Sequence, residues 1–340
     1  MNTARVAVVS LGGTITMTSA TGDGAGVKPS LSADDLLESV PGLAAAADVT
    51  AHTLVTIPGA SLTFAEVLEA LAWARSAVDG GHDGVVVVQG TDTIEETSYL
   101  LDLHWDRPAP LVVTGAMRSA HAAGADGPAN LLAAVQVAGS PDSRDRGVLV
   151  VMNDEIHAAS RVRKMRSSGL DAFCSPGFGP VGYLEESLAM FGGEFRRAEP
   201  LPLPATPVQR RVALLETYLG DDGALLDLVV AAGYDGVVVQ AFGVGHVAET
   251  VAGAISRATS SVPVVMTSRT GAGTTFAKTY GFPGSESDLL ARGIIPAGWL
   301  DGRKARILLD RLLAASWSTE SIAAEFRLRG QLISSVRTLQ

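Results

Sequence analysis

The chain has 340 residues, 47% apolar and only 18% charged, which is too long for one ordinary core and too apolar for a disordered chain. Its 26 basic residues stand against 36 acidic ones, a formal net charge of −10. No cluster of five basic residues offsets that balance, which argues against nucleic acid and anionic membranes as partners.

Short apolar runs alternate with helical patterns along the chain, the sequence form of a mostly parallel α/β sheet. Strands are expected at 6–11, 51–57, 84–89, 111–114 and 147–152, with helices at 64–78 and 94–104 between them. Thr63 with Glu66 three residues on has the spacing of a capping box ahead of the first helix. Segment 173–192, rich in Gly and aromatic residues, lacks a helical period, and its Cys174, the one cysteine, excludes an internal disulfide and reads as a packing residue. Four prolines between Pro200 and Pro207 suit an extended linker, after which the alternation restarts. Strands at 211–218, 236–241 and 263–266 and helices at 222–233, 247–259, 303–315 and 319–329 follow. The expected organisation is a larger N-terminal parallel-sheet α/β domain over 1–195, a linker over 196–210 and a smaller C-terminal α/β domain over 211–340. The apolar run 6–11 is too short for a secretory core, and no stretch approaches the roughly 18 apolar residues that span a bilayer. A cytoplasmic protein is expected.

Two strand ends carry chemistry. The valine run from Val85 empties into Gly90-Thr91-Asp92-Thr93, and a helix starts on Glu95 and Glu96. The run 6–11 ends in Gly12-Gly13-Thr14, followed by a Gly/Ser/Thr-rich stretch that reads as a loop able to close over a ligand. Ligands of open α/β sheets bind at the carboxyl ends of the strands. Two strand-end threonines, one beside an aspartate, are the parts of a threonine-based hydrolase.

These segments resemble the bacterial-type L-asparaginase/glutaminase amidohydrolases. The matching motifs are Gly12-Gly13-Thr14-Ile15, Gln89-Gly90-Thr91-Asp92-Thr93-Ile94-Glu95-Glu96-Thr97, Val113-Thr114-Gly115-Ala116-Met117-Arg118, Ala125-Asp126-Gly127-Pro128-Ala129-Asn130 and Val150-Val151-Met152-Asn153-Asp154. The resemblance implies a cofactor-free amidohydrolase that cleaves a small carboxamide, foremost L-asparagine, to the carboxylate and ammonia. Thr14 would be the nucleophile and 16–27 part of the lid. Thr91, Asp92 and Lys164 would form a second catalytic set, with Lys164 as a base if burial or the nearby Arg161, Arg163 and Arg166 favour its neutral form. Asp92 would accept the substrate's α-ammonium group, or else cap the helix near Ile94, a task Thr93 could also perform. Glu95 and Glu96 read as first-turn acids that balance the helix dipole. Thr114 sits at another strand end, walling the cleft or serving only the fold.

The chain departs from the family pattern at two places. Residues 24–28 hold no tyrosine where the family carries one on the lid, and the first tyrosine is Tyr99. The serine that binds the α-carboxylate is replaced by Gly59 or Ala60, with Ser61 as the available substitute. The resemblance further implies a homo-oligomer, a dimer or a tetramer of dimers, in which the C-terminal domain completes a neighbour's site. His246 and Glu286 are the matching residues, their plainer readings being a turn histidine and a helix-start glutamate. Glutamine, a D-amino-acid amide or another small amide remains open as substrate, as does a non-catalytic amino-acid-binding role. The six scattered histidines show no metal-ligand spacing, and neither a dinucleotide fingerprint nor a Walker A sequence is present.

Overall fold

A computed structural model describes residues 3–13, 17–19, 27–29, 35, 39–193, 197–204 and 210–331. The chain divides into two compact units, Met1–Pro200 and Leu201–Gln340.

The strands of the first unit are β1 (Arg5–Ser10), the hairpin β2 (Met17–Ser19) and β3 (Val27–Pro29), β4 (Asp48–Thr53), β5 (Gly84–Val88), β6 (Leu111–Thr114), β7 (Val148–Met152), β8 (Glu155–Ala158), the hairpin β9 (Arg163–Lys164) and β10 (Phe173–Cys174), β11 (Gly182–Glu185) and β12 (Leu188–Phe191). Eight of them form one sheet in the order β12-β11-β8-β7-β6-β5-β1-β4. The five from β7 to β4 run parallel, and β8, β11 and β12 extend the sheet antiparallel. The inner strands are continuous apolar runs because both faces are covered, and β5 (GVVVV) and β7 (VLVVM) are buried at every residue.

Among the described residues this unit has the α-helices α1 (Leu43–Ala46), α2 (Phe64–Asp79), α3 (Ile94–His104) and α4 (Gly127–Gly139). The capping box opens α2: the Thr63 side chain accepts from the Ala65 amide, and the Thr63 amide donates to Glu66. One face of the sheet packs Val6, Val8, Val86, Val88, Val112 and Leu149 against Leu131, Ala134, Val135 and Ala138 of α4. That helix comes so close that a Cβ on Gly84 would stand 2.0 Å from the Ala138 carbonyl oxygen.

Numbered in chain order, the parallel strands lie 2-1-3-4-5 across the sheet, since the chain passes from β1 out to β4 and back over β1 to β5. The direction of winding reverses between β1 and β5, and the crevice beyond their carboxyl ends is where such sheets hold ligands.

The second unit is a smaller parallel sheet of β13 (Val212–Glu216), β14 (Gly236–Ala241), β15 (Val264–Ser268) and β16 (Ile295–Pro296), in that order. Its helices are α5 (Ala224–Ala231), α6 (Glu249–Thr259), α7 (Glu286–Ala291), α8 (Gly302–Ala314) and α9 (Thr319–Arg329). Val237, Val239, Val264 and Met266 meet Val251, Ala254, Ile255 and Ala258 of α6 in its core. The molecule is therefore of the α/β class, with a large parallel-rich sheet in the first unit and a smaller parallel sheet in the second.

Two departures from expectation have definable reasons. The strand expected at 51–57 lies at Asp48–Thr53, pairing from Asp48 opposite Arg5; after Leu54 donates to Ser10 the chain turns toward Pro58, which has no amide to donate. Helix α4 has no apolar stripe to betray it, because it is buried on most of its circumference. Segment 173–192 is non-helical, as its pattern implies, and holds β10, β11 and β12.

His157 on β8 is almost fully buried, with Ser175 Oγ 3.0 Å from Nδ1 and a Glu155 carboxylate oxygen 3.1 Å from Nε2. Burial pushes its imidazole down to about 4, while burial first and Asp171 second push Glu155 up. The unfolded ring, near 6.5, binds a proton that the folded ring refuses, so this contribution to stability is present above about pH 6.5 and is lost as pH falls toward about 4. Glu155 acts with the opposite sign, so the variant His157→Gln isolates the ring. Its melting temperature should depend less on pH between 4 and 6.5 than that of the parent, and parallel pH curves would refute the assignment.

Candidate active site

Three connections meet at the crevice between β1 and β5. Leu11-Gly12-Gly13 leaves β1, the tight turn Gly59–Ser61 follows β4, and Gln89-Gly90 leaves β5 into the short 3-10 turn Thr91–Thr93. They pack main chain against main chain. A Cβ on Gly13, whose φ is 91°, would stand 2.0 Å from the Gly90 nitrogen, and one on Gly59 would stand 2.8 Å from the Gly90 oxygen. The fully buried Gln89 latches the junction: its Nε2 donates to the Gly90 oxygen and to Thr93 Oγ1, both at 3.1 Å. Thr93 Oγ1 in turn donates to the Gly59 oxygen at 3.0 Å. Gly59 and Gly90 are thus required by contact, and Gly13 by contact and by backbone angle. Thr14 and residues 16 and 20–26 of the lid lie outside the described residues.

At the mouth of this junction Lys164 Nζ donates to Thr91 Oγ1 and to Asp92 Oδ1, each at 2.9 Å. Thr91 is buried to 7% exposure, the Lys164 side chain is 16% exposed and that of Asp92 is 64% exposed. A buried hydroxyl thus sits beside an amine that reaches the surface, with a carboxylate open to solvent next to both. Lys164 lies more than seventy positions along the chain from the other two, and the fold brings the three together.

Neither expected capping role is realised: Thr93 occupies the N-cap position of α3 but its hydroxyl serves Gly59, and Asp92 turns to Lys164. The arginines near Lys164 have other partners. Arg166 is exposed and paired with Asp171, and Arg161 lies over the Phe178 ring at 3.9 Å.

Glu95 is more than a dipole-balancing acid. It stands in the first turn of α3 with Glu96, but it is buried, and its Oε2 accepts the Lys164 backbone amide at 2.8 Å. A hydrogen bond to a charged acceptor contributes about 1.5–3 kcal/mol. The one sequence signal for this contact is spacing, since Glu95 follows Thr91 by four residues and so stands one turn further along.

Other expected site residues are placed differently. Thr114 is fully buried and its hydroxyl donates to the Val151 carbonyl at 2.8 Å, so it fastens β6 to β7 beneath the cleft rather than walling it. Gly59 is consumed by packing against Gly90, leaving Ala60 and Ser61 exposed on the outer side of their turn. The motifs around 113–118, 125–130 and 150–154 form one hydrogen-bonded lattice. Asp126 accepts the Met117 and Arg118 amides, while Asn130 donates to the Gly115 oxygen and accepts the Asn153 amide.

In the second unit Glu286 is fully buried. Oε1 accepts the Thr279 and Tyr280 amides at 2.8 and 2.7 Å, and Oε2 lies 3.1 Å from His246 Nε2. Burial alone would raise its proton affinity, but the amides of Tyr280, Glu286 and Thr279 together with His246 hold it below the usual carboxylate value. His246 sits edge-on to Tyr280 and Phe282, with ring centroids 4.8 and 5.0 Å away. The pair fastens the 279–282 loop. Among the described residues no group of three or more His, Cys, Asp or Glu is placed to hold a metal ion, and no helix is long and apolar enough to cross a membrane.

Comparison with known proteins matches both units. The family model described as Asparaginase, N-terminal, matches residues 5–194, and that of the Glutaminase/Asparaginase C-terminal domain matches residues 211–326. A probable L-asparaginase of Deinococcus radiodurans is 37% identical over 328 residues, 95% of this chain and 97% of that one. The crystal structure of a probable cytoplasmic L-asparaginase from Campylobacter jejuni aligns with a TM-score of 0.85 at 30% identity, covering 95% of this chain and 99% of that chain. A glutamyl-tRNA(Gln) amidotransferase subunit of Methanosphaera stadtmanae is 30% identical over 335 residues, 95% of this chain and 74% of its own length.

Proposed function

The chain belongs to the asparaginase family and is therefore an enzyme acting on amides, and from that premise we propose that it hydrolyses a small carboxamide, foremost the side chain of L-asparagine, to L-aspartate and ammonia. The observation that carries this reading is the Lys164 amine held 2.9 Å from both the Thr91 hydroxyl and the Asp92 carboxylate.

In the proposed reaction Thr14, which follows Gly12-Gly13 in the sequence, attacks the amide carbon. Its proton passes by way of the Thr91–Lys164 pair to the departing nitrogen, the C–N bond breaks and ammonia leaves. Water then cleaves the acyl-threonine ester, returning the hydroxyl and releasing the carboxylate. Lysine takes a proton only as the neutral amine, so the pair cycles between donor and acceptor during turnover. A route in which Thr91 and Lys164 activate water directly uses the same groups without the ester. Asp92, open to solvent, accepts the substrate's α-ammonium group. The reading includes a cytoplasmic location, as named for the Campylobacter jejuni relative, and a homo-oligomeric state.

A second reading has one observation in its favour, the likeness to the glutamyl-tRNA(Gln) amidotransferase chain: the released nitrogen would then pass to an acceptor. Ammonia release over a panel of L-asparagine, L-glutamine, D-asparagine and simple amides separates these outcomes. L-Asparagine should be turned over fastest by the isolated protein. Preference for glutamine would move the reading to the second, and amino-acid binding without turnover of any amide would overturn catalysis.

A further inference from the structure

Lys164 must hold a flexible four-carbon stem so that Nζ meets two oxygens at once, and its backbone lies on a short hairpin. It lies on the two-residue strand β9, which among the described residues pairs with the two-residue β10 and is not part of the eight-stranded sheet. A ladder this short is not independently stable. Thr91 and Asp92, by contrast, are fixed to the start of α3, whose residues Ile94, Thr97 and Ser98 are buried against the fold. Glu95 is the bridge between these two bodies. Its buried carboxylate belongs to α3 and accepts the Lys164 main-chain amide at 2.8 Å.

We propose that Glu95 is a positioning residue that fixes Lys164 relative to Thr91 and Asp92, acting through the lysine backbone and not by contact with substrate. The inference rests on the reading that the Thr91–Lys164 pair takes part in the reaction. Main-chain placement matters because an error of about 1 Å in a catalytic group costs about a hundredfold in rate. A carboxylate one methylene shorter cannot span from α3 to β9 in the present geometry, whereas a glutamine keeps an acceptor oxygen at the same reach.

The test is steady-state ammonia release by Glu95→Ala, Glu95→Asp and Glu95→Gln, each assayed at least 15 °C below its own melting temperature. Alanine and aspartate should lower kcat by about 10- to 100-fold with KM changed less than threefold, and glutamine should stay within about fivefold of the parent. Aspartate retains the charge, so an active Glu95→Asp variant beside an inactive Glu95→Gln variant would replace positioning by electrostatics and overturn the proposal. Losses that vanish when rates are referred to folded protein would equally overturn it. Thr91→Val and Lys164→Ala are run in parallel. Full activity in those two would refute the site reading itself, while their inactivation with an undisturbed Glu95→Ala would refute only the role of Glu95.

Discussion

Lys164→Ala should lower kcat for amide hydrolysis by about 10²- to 10⁴-fold, the usual range for removing a positioned acid–base group. The side chain is mostly covered, and its amine's contacts with Thr91 Oγ1 and Asp92 Oδ1 both belong to the crevice. Its removal therefore takes away a proton carrier without opening a core cavity. Thr91→Val, nearly the same shape, removes the hydroxyl alone and should fall in the same range. The informative measurement is the double variant. Groups that act as one unit are strongly non-additive, so Thr91→Val with Lys164→Ala should be no slower than the worse single variant within about threefold. If the two losses multiply instead, the residues act independently and the relay through them is wrong. Thermal melts of all three variants should stay near that of the parent, which separates lost chemistry from lost fold.

What the sequence announced and what it hid follow from the range of the forces involved. Val85–Val88 had to be an interior strand because an unbroken β-branched run is tolerable only where both faces are covered. The end of α3 at His104 and the capping box of α2 are local events, fixed by residues within a few positions of each other. The site was legible only where a motif places a side chain directly on a strand end, as with Thr91 and Asp92. Lys164 needed the family resemblance, since nothing in its own surroundings says that β9 folds back against α3. The contacts of Glu95 and Thr114 were hidden for one reason: their partners, Lys164 and Val151, lie 69 and 37 residues away. A residue next to a motif is not thereby part of the cleft. Glu286 shows the same in another way, for an acid at a helix start reveals nothing of the three donors found around it.

Gly13→Ala should be among the most destabilising single substitutions in the first unit, at about 4 kcal/mol or more, a size reserved for a few identifiable mechanisms. Two costs combine there. The φ of 91° lies in the left-handed half of backbone space, where a Cβ costs about 1–2 kcal/mol. The new methyl would also stand 2.0 Å from the Gly90 nitrogen, 2.3 Å from the Gly90 Cα and 2.6 Å from the Gln89 carbonyl carbon. All three are main-chain atoms, so relief requires moving the Gln89–Gly90 peptide, which carries Thr91 with it. Gly42→Ala is the control, because Gly42 has a similar φ of 82° but nothing within 4 Å of the added carbon. It should show the conformational cost alone, about 2–6 °C in the melting temperature of a unit of this size, against a loss of about 8–16 °C or failure to accumulate as soluble protein for Gly13→Ala. Whatever Gly13→Ala protein does fold should also have lost most of its amidase activity, since the overlap is relieved only by displacing the chain that holds Thr91 against Lys164. A Gly13→Ala variant that melts with Gly42→Ala and keeps its activity would mean that the connections leaving β1 and β5 are not packed main chain against main chain, and that the crevice between those strands is built in some other way.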